Sequence, residues 1–494
     1  TVSVDGIETV HENQFGKKVA TISAPIALRN SSVVAIRLAS SPGDFITVSV
    51  DGTLATSGSV PTSGGVVHLL GEQVSLTVPP GAVSQPLTLT AEPVVAPSPE
   101  AAPGTIIELG PTGTTFTTPI TLSIAFDPAH LPPGAKPASL HMYFWNVDRW
   151  EALPNSAVDM VHGIVTATTT HFTTFALLPG EVEFCQSDPT SEQSLQVAIS
   201  HVSSGGRVFV CDGVNHAQMV TIDRPVTIQA EHPGLATIAQ PDTASAGTYV
   251  LQLLNVPSGM VSLVDLVIDF RIRGFLAEGA YDQVVITGTT FRGLNPTLSN
   301  VGATFQQTSV ATAHVTIDHD EFMGSSQGLL DGQPVDIDVT HSNFHDLGTF
   351  DLLLYSASAS GSLPAAAGAV PPGFSPKSST AHVEWNTFHN CGTSVCIAVE
   401  QASHGTVRFN TIVMDTGSVV DAILLRRGNQ LPGLTSPMLV TDNTITGHGP
   451  AVGADSSLQG SWGVKFALRI LSGTEVVSDS FARNTINTAF VALD

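Results

Sequence analysis

One short phrase recurs along the second half of the chain, and few folds can accommodate it. Val383-Glu-Trp-Asn-Thr-Phe388, Val407-Arg-Phe-Asn-Thr-Ile412 and Val440-Thr-Asp-Asn-Thr-Ile445 share an apolar first residue, an asparagine at the fourth and an apolar sixth. Placed under one another, the final residues continue in both directions as Phe291, Phe322, Phe344, Phe388, Ile412, Ile445 and Ile486. Five residues earlier the column reads Ile286, Ile317, Val339, Val383, Val407, Val440 and Phe481. Both columns are inward faces. Two residues before the last position stand Thr289, Asp320, Ser342, Asn386, Asn410, Asn443 and Asn484, a row of small polar side chains that ends in asparagine. Copies recur at irregular intervals of 22 to 44 residues, so one short strand pair stacks per period while the connecting loops vary, which describes a solenoid rather than a sandwich. Coils stacked at the ~4.8 Å spacing of neighbouring strands let an amide in each turn bond the amides above and below.

This pattern resembles the right-handed parallel β-helix of the pectate-lyase type, with its asparagine ladder, over residues 180–494. Ser194-Leu-Gln-Val-Ala-Ile-Ser-His-Val reads as a capping helix by its 3.6 spacing, and Arg207–Val210, Val220–Ile222 and Val226–Ile228 read as the first coil. A helix there covers strand edges that would otherwise be open. The Ala, Pro, Gly and Ser-rich run 356–380 breaks the period and is expected to leave the stack as a loop.

Two smaller β modules are expected ahead of the solenoid, making an all-β chain of three parts. Residues 1–57 show only four or five short strands, fewer than an immunoglobulin-like module needs. Thr1-Val-Ser-Val-Asp-Gly6 recurs letter for letter as Thr47-Val-Ser-Val-Asp-Gly52. From that duplication we expect Thr1, Val2, Ser3 and Val4 to pair with a sheet of another copy, building a head-to-tail filament; pairing within its own module is the alternative. Residues 58–179 carry Val74-Ser-Leu-Thr-Val-Pro-Pro-Gly81, Leu109-Gly-Pro-Thr-Gly-Thr-Thr-Phe116 and His171-Phe-Thr-Thr-Phe175. These phrases resemble the β-sandwich domain of ankyrins and netrin receptors, common in bacterial secreted proteins, which implies a structural or interaction module.

Charge and cysteines narrow the setting. Lys and Arg total 18 against 42 Asp and Glu, a net charge of -24 that repels nucleic acid and anionic membrane surfaces and favours divalent cations, calcium first. No apolar run is long enough to span a bilayer. Four cysteines fall into two local pairs, Cys185 with Cys211 and Cys391 with Cys396, which predicts disulfides and a secreted or cell-surface location.

Candidate chemistry lies on two faces. The resemblance puts a polysaccharide-cleaving site on the sheet holding 395–400, 420–426 and 464–470, where Glu400, Lys465 and Arg469 turn outward and His448 lies just upstream in Gly-His-Gly. The resemblance to polygalacturonases fails beyond that point, because neither Asn-Thr-Asp nor an Asp-Asp pair occurs in the sequence. A second polar column precedes the ladder, with Asp318, Asp338, His382 and Glu384 as candidates for an ion or sugar site. Its plain alternative is a solvated strand face. His319 with His341 falls on equivalent positions of successive coils, which permits a transition-metal pair. The favoured expectation is therefore a secreted structural or adhesive protein that meets a polysaccharide, a cell surface or its own copies; a lyase or hydrolase of acidic polysaccharide is the alternative.

Overall fold

A computed structural model describes residues 56–494 except 95–100, 148, 243–247, 295–299, 308–312, 332–334, 356–378, 390, 392–394, 401–402, 415–420, 428–437, 448–465, 473–479 and 489–494; before residue 56 it describes 1–4, 7–11, 14, 22, 24, 34–37 and 47–48. The chain is all-β and divides into two compact units, Thr1–Glu181 with Ser200–Ser203, and Val182–Ile199 with Ser204–Asp494.

Within the first unit, Val2–Val4 is the middle strand of a three-stranded antiparallel sheet, between Ile7–Val10 and Val34–Ile36. Within one chain, then, Val2, Ser3 and Val4 pair inside their own module, as the alternative expectation had it. Both edges of that strand are paired inside the chain: Ile7–Val10 closes a hairpin at little entropic cost, and Val34–Ile36 returns from further along the chain to the other edge. A second copy would have to displace one of them. The duplicate at 47–52 lies mostly outside the described residues, and Thr47 and Val48 belong to no strand.

The sandwich pairs a six-stranded sheet with a five-stranded one. Strand Val74–Val78 shows the alternation that builds it: Val74, Leu76 and Val78 are buried, while Ser75 and Thr77 are not. Phe116, Phe172, Ile120, Leu122 and Phe175 meet in one core, and Phe116 and Phe172 pack edge to face at 4.9 Å.

In the second unit each coil contributes three parallel strands. The leading strand precedes the ladder turn (His314–Asp318, Asp336–Thr340, Ser379–Glu384, Ser403–Arg408, Met438–Thr441). A trailing strand follows it (Glu321–Met323, Asn343–His345, Thr387–His389, Thr411–Met414, Thr444–Gly447). The third strand closes the coil (Gln327–Asp331, Phe350–Tyr355, Val395–Glu400, Asp421–Arg427, Phe466–Ser472). Successive coils keep register, Phe291 over Phe322, Phe344, Phe388, Ile412, Ile445 and Ile486. Phe322 stacks on Phe344, and Phe344 on Phe388, at 4.8 Å and within 8° of parallel. That distance is the strand spacing itself. The helix spans Leu195–His201 and buries Leu195, Ala198 and Ile199, while Gln196 on its polar side bonds both the N–H and the C=O of Thr221. Both expected disulfides, Cys185–Cys211 and Cys391–Cys396, are formed, which suits an oxidising compartment. Among the described residues no helix is long and apolar enough to cross a membrane.

The ladder is a chain of saturated amides. Asn410 shows the unit: its Oδ1 accepts the N–H (2.9 Å) and the Nδ2–H (3.1 Å) of Asn386, and its own Nδ2 donates to Asn443 Oδ1 (2.9 Å) and to the Val383 carbonyl (2.8 Å). Asn443 repeats these bonds to Asn484, whose Nδ2 donates to the Val440 carbonyl. Upstream the row continues through side chains of other kinds. Ser342 N–H donates to Asn386 Oδ1, Asp320 N–H to Ser342 Oγ, and Thr289 N–H to Asp320 Oδ1. Asp320 is 2% exposed, and its Oδ2, the atom that stands where the asparagines carry Nδ2, has no hydrogen-bond partner. Burial, reinforced by Asp318 and Asp265, pushes its carboxyl well above the usual carboxylate range, against the Thr289 N–H that favours the anion.

A raised folded-state pKa makes the folded chain hold a proton that the unfolded chain has lost, so this group's contribution to stability falls as pH rises above the ordinary Asp value. Asp320→Asn supplies the missing donor without the charge. We expect it to stabilise the solenoid by about 1 to 3 kcal/mol at pH 8 in urea unfolding, with the gain shrinking toward pH 4. An Asn variant no more stable than the parent at pH 8 would count against a buried protonated acid.

Candidate functional site: the ladder-turn ridge

Leading-strand residues alternate strictly, because the inward apolar column forces every second residue outward. Ile317, Val339, Val383, Val407 and Val440 are fully buried. The outward residues on either side of them form register rows: Asp318, Thr340, Glu384, Arg408 and Thr441 in one, Thr316, Asp338, His382, Thr406 and Leu439 in the next. These rows are cross-bonded. Thr406 donates its hydroxyl proton to Glu384 Oε1 and therefore accepts from His382 Nδ1 at 2.7 Å. That direction leaves Nε2 as the acceptor of the His382 ring. Arg408 Nε lies 2.8 Å from the same Glu384 oxygen. Burial raises the Glu384 pKa, but the bonds from Arg408 and Thr406 outweigh it and the carboxyl sits below its usual range. Two coils earlier, Asp318 is arranged alike: burial works against its charge, yet Thr340, His319 and His341 all bond the carboxylate and lower its pKa.

The four carboxylate and imidazole candidates of this face thus share a surface but not a single centre. Asp338 pairs with His314 at 3.3 Å, Asp318 with His319 and His341, and Glu384 with Arg408, Thr406 and, more distantly, His382 at 3.9 Å. A calcium ion wants six to eight oxygens around one point, and here imidazole and guanidinium groups occupy the space between carboxylates.

Beside this face runs a column that the sequence reading largely missed. Asp265, Gly288, His319, His341, Trp385, Phe409, Asp442 and Arg483 occupy the same turn position in successive coils, and every one has φ between 49 and 64°. The left-handed conformation tips each side chain out of the coil at the corner between leading and trailing strands. Rings therefore stack along the corner: His319 on His341 at 4.8 Å, Trp385 on Phe409 at 4.2 Å, with the Arg408 guanidinium 5.4 Å from the Phe409 ring centre. Asp442 and Arg483 continue the ridge as a bidentate pair at 2.6 Å. Trp385 is 53% exposed. The signal was available, since each of these residues stands three before the end of its repeat.

On the third strands, Glu400 and Arg469 fall in different rows: Glu400 is opposite Arg426, and Arg469 is opposite Leu424. The row that ends in Arg469 is apolar, with Leu353, Ala398 and Leu424 buried together with Phe350 and Val395. His448 and Lys465 lie outside the described residues. The expected cleavage site thus has no described catalytic pair, and the cross-bonded rows of candidates described above sit on the leading strands and their turn.

Residues 56–142 match the ZU5 domain family. That segment covers the first strands of the sandwich, and the strands Arg149–Ala152, Ala157–Asp159, Ile164–His171 and Thr174–Pro179 complete its two sheets beyond the match. Among curated proteins no relative matches. Among solved structures the chain is similar to an alginate lyase from Paenibacillus sp. str. FPU-7, at 11% identity and a TM-score of 0.32 over 62% of this chain and 97% of that one. It is also similar to the catalytic domain of a GH87 alpha-1,3-glucanase in complex with nigerose, at 9% identity and a TM-score of 0.32 over 80% of this chain and 90% of that one. Likenesses this distant carry no argument about what this chain does.

Proposed function

We propose that this is an extracellular surface protein whose β-helix is a rigid support and whose ladder-turn ridge holds a neutral glycan chain, an adhesive rather than a cleaving role. One observation carries the reading: an exposed indole, Trp385, stands at a corner of the coil next to a pre-formed hydrogen-bonding set of His382, Glu384, Thr406 and Arg408. Sugars offer apolar C–H faces and vicinal hydroxyls, and sites that bind them combine an aromatic surface with fixed polar groups. Glu384 and Arg408 hold each other in place, so little side-chain entropy is lost when a sugar hydroxyl bonds their outward atoms. The net charge of -24 favours a neutral chain over a polyuronate. A ridge that repeats every coil suits a polymer lying along the solenoid.

The test is titration calorimetry of the whole chain with soluble neutral glucans and galactans, and with alginate and polygalacturonate, with and without calcium. We expect a neutral polymer to bind, Trp385→Ala to weaken it at least tenfold, and Arg408→Ala to weaken it without abolishing it. No binding to any neutral polymer, or binding untouched by Trp385→Ala, would reject this reading. Release of unsaturated or new reducing ends would reject the non-cleaving role.

A further inference from the structure

We infer that Asp318, His319 and His341 form a binding site for a divalent transition-metal ion, zinc in the first instance. The inference is independent of the glycan reading. His319 Nδ1 is 2.8 Å from Asp318 Oδ2 and His341 Nδ1 is 3.0 Å from Asp318 Oδ1, so the two rings bracket one carboxylate from successive coils. One ligand atom from each of the three residues lies within 4.8 Å of the other two. Two nitrogens and one oxygen are the donor set of open three-ligand sites for zinc and its neighbours, and imidazole selects these ions over calcium. This is where the structure departs from an oxygen-only calcium site.

Three features make the arrangement more than two surface histidines. Both residues are held left-handed, at φ 59 and 49°, by the ladder turn that fixes their backbones on either side of Asp318. The rings lie 4.8 Å apart and within 18° of parallel, so opposite tilts of the two rings turn their Nδ1 lone pairs toward one point between the coils. Thr340 donates its hydroxyl to Asp318 Oδ1 and orients the carboxylate from behind, the outer-shell support that metal-binding carboxylates commonly have.

Closing from the present spread to the roughly 3.4 Å separation of ligands around a tetrahedral ion with ~2.1 Å bonds needs only rotation of two half-exposed rings. Each neutral ring shifts its proton from Nδ1 to Nε2, which frees the Nδ1 lone pair for the ion. The two hydrogen bonds from Nδ1 to Asp318 give way to bonds from Nδ1 and the carboxylate to the ion, with the ring protons carried on Nε2. Side-chain exposures of 64% for His319 and 50% for His341 leave the fourth position to water or to a ligand oxygen.

The other two clusters of metal-ligating residues among those described compare poorly. In Asp351, Cys391 and Cys396 both sulfurs are spent in a disulfide, and Asp212, Glu231 and His232 offer a single imidazole.

The experiment is zinc titration calorimetry on the chelator-treated full chain, repeated with cobalt so that the visible absorption reports the ligand field. His319→Asn and His341→Asn are the variants, since asparagine tolerates the left-handed conformation and the turn is kept. We expect one tight equivalent, a tetrahedral cobalt band, and at least tenfold weaker binding in either variant with the band lost in the double variant. His232→Ala should leave both readouts unchanged. An equivalent that survives the double variant, or one that disappears in His232→Ala, would overturn the assignment, and so would the absence of any tight equivalent in the parent chain. A far-ultraviolet spectrum matching the parent shows that each variant remains folded.

Discussion

Replacing Asn410 with alanine should destabilise the solenoid by about 3 kcal/mol, because it strands several buried groups at once. The Asn386 N–H loses its acceptor, one Asn386 Nδ2 hydrogen loses its partner, and the Val383 carbonyl loses its donor. The Asn410 Nδ2 bond to Asn443 Oδ1 is lost as well, but the Asn410 backbone N–H keeps its bond to that oxygen, so the interface toward Asn386 carries most of the break. Each coil in such a stack is held by its neighbours rather than by a common core, and one weakened interface divides the stack. Urea unfolding followed by far-ultraviolet circular dichroism measures the change, and a loss under about 0.5 kcal/mol, typical of exposed sites, would refute it. Asn410→Asp is an informative companion. It keeps the shape of the amide but supplies a donor only when protonated, so its cost should be large at pH 8 and smaller near pH 4, the behaviour expected of Asp320 in its natural place.

Phe344→Ala should cost more, about 3 to 5 kcal/mol, the range for emptying a buried phenylalanine position. Phe344 is fully buried and lies between Phe322 and Phe388, in parallel contact with both. Strand register fixes the two neighbouring rings at one strand spacing on either side, so they cannot close the gap without shifting backbone. Phe344→Leu, which restores most of the volume, should recover at least half of the loss. Equal losses for Ala and Leu would mean that the ring stack itself, rather than filled volume, is what holds the coils there.

Much of this architecture can be read from the one-dimensional pattern. The columns through Phe344, Val339 and Asn410 are properties of the chain: they state which residues face inward and which amides meet, because stacked strands repeat at one spacing and a residue's side alternates with its position. The same holds for the cysteine pairs, close enough in sequence that only local partners were economical. The left-handed turn column was equally present in the text, but its members differ chemically, Gly288, His341, Trp385, Asp442, and no shared residue type betrays a shared backbone conformation.

Tertiary structure alone decided the rest. Sequence placed Asp318, Asp338, His382 and Glu384 on one face, yet whether they gather around one ion or disperse among Thr340, His314, Thr406 and Arg408 depends on rotamers and distances of a few ångströms, which periodicity does not encode. It likewise supplied the partners of Val2–Val4, Ile7–Val10 and Val34–Ile36, which the repeated letters at 1–6 and 47–52 do not name. Repetition along the chain sets where residues stand; hydrogen-bond geometry between coils sets what they can do.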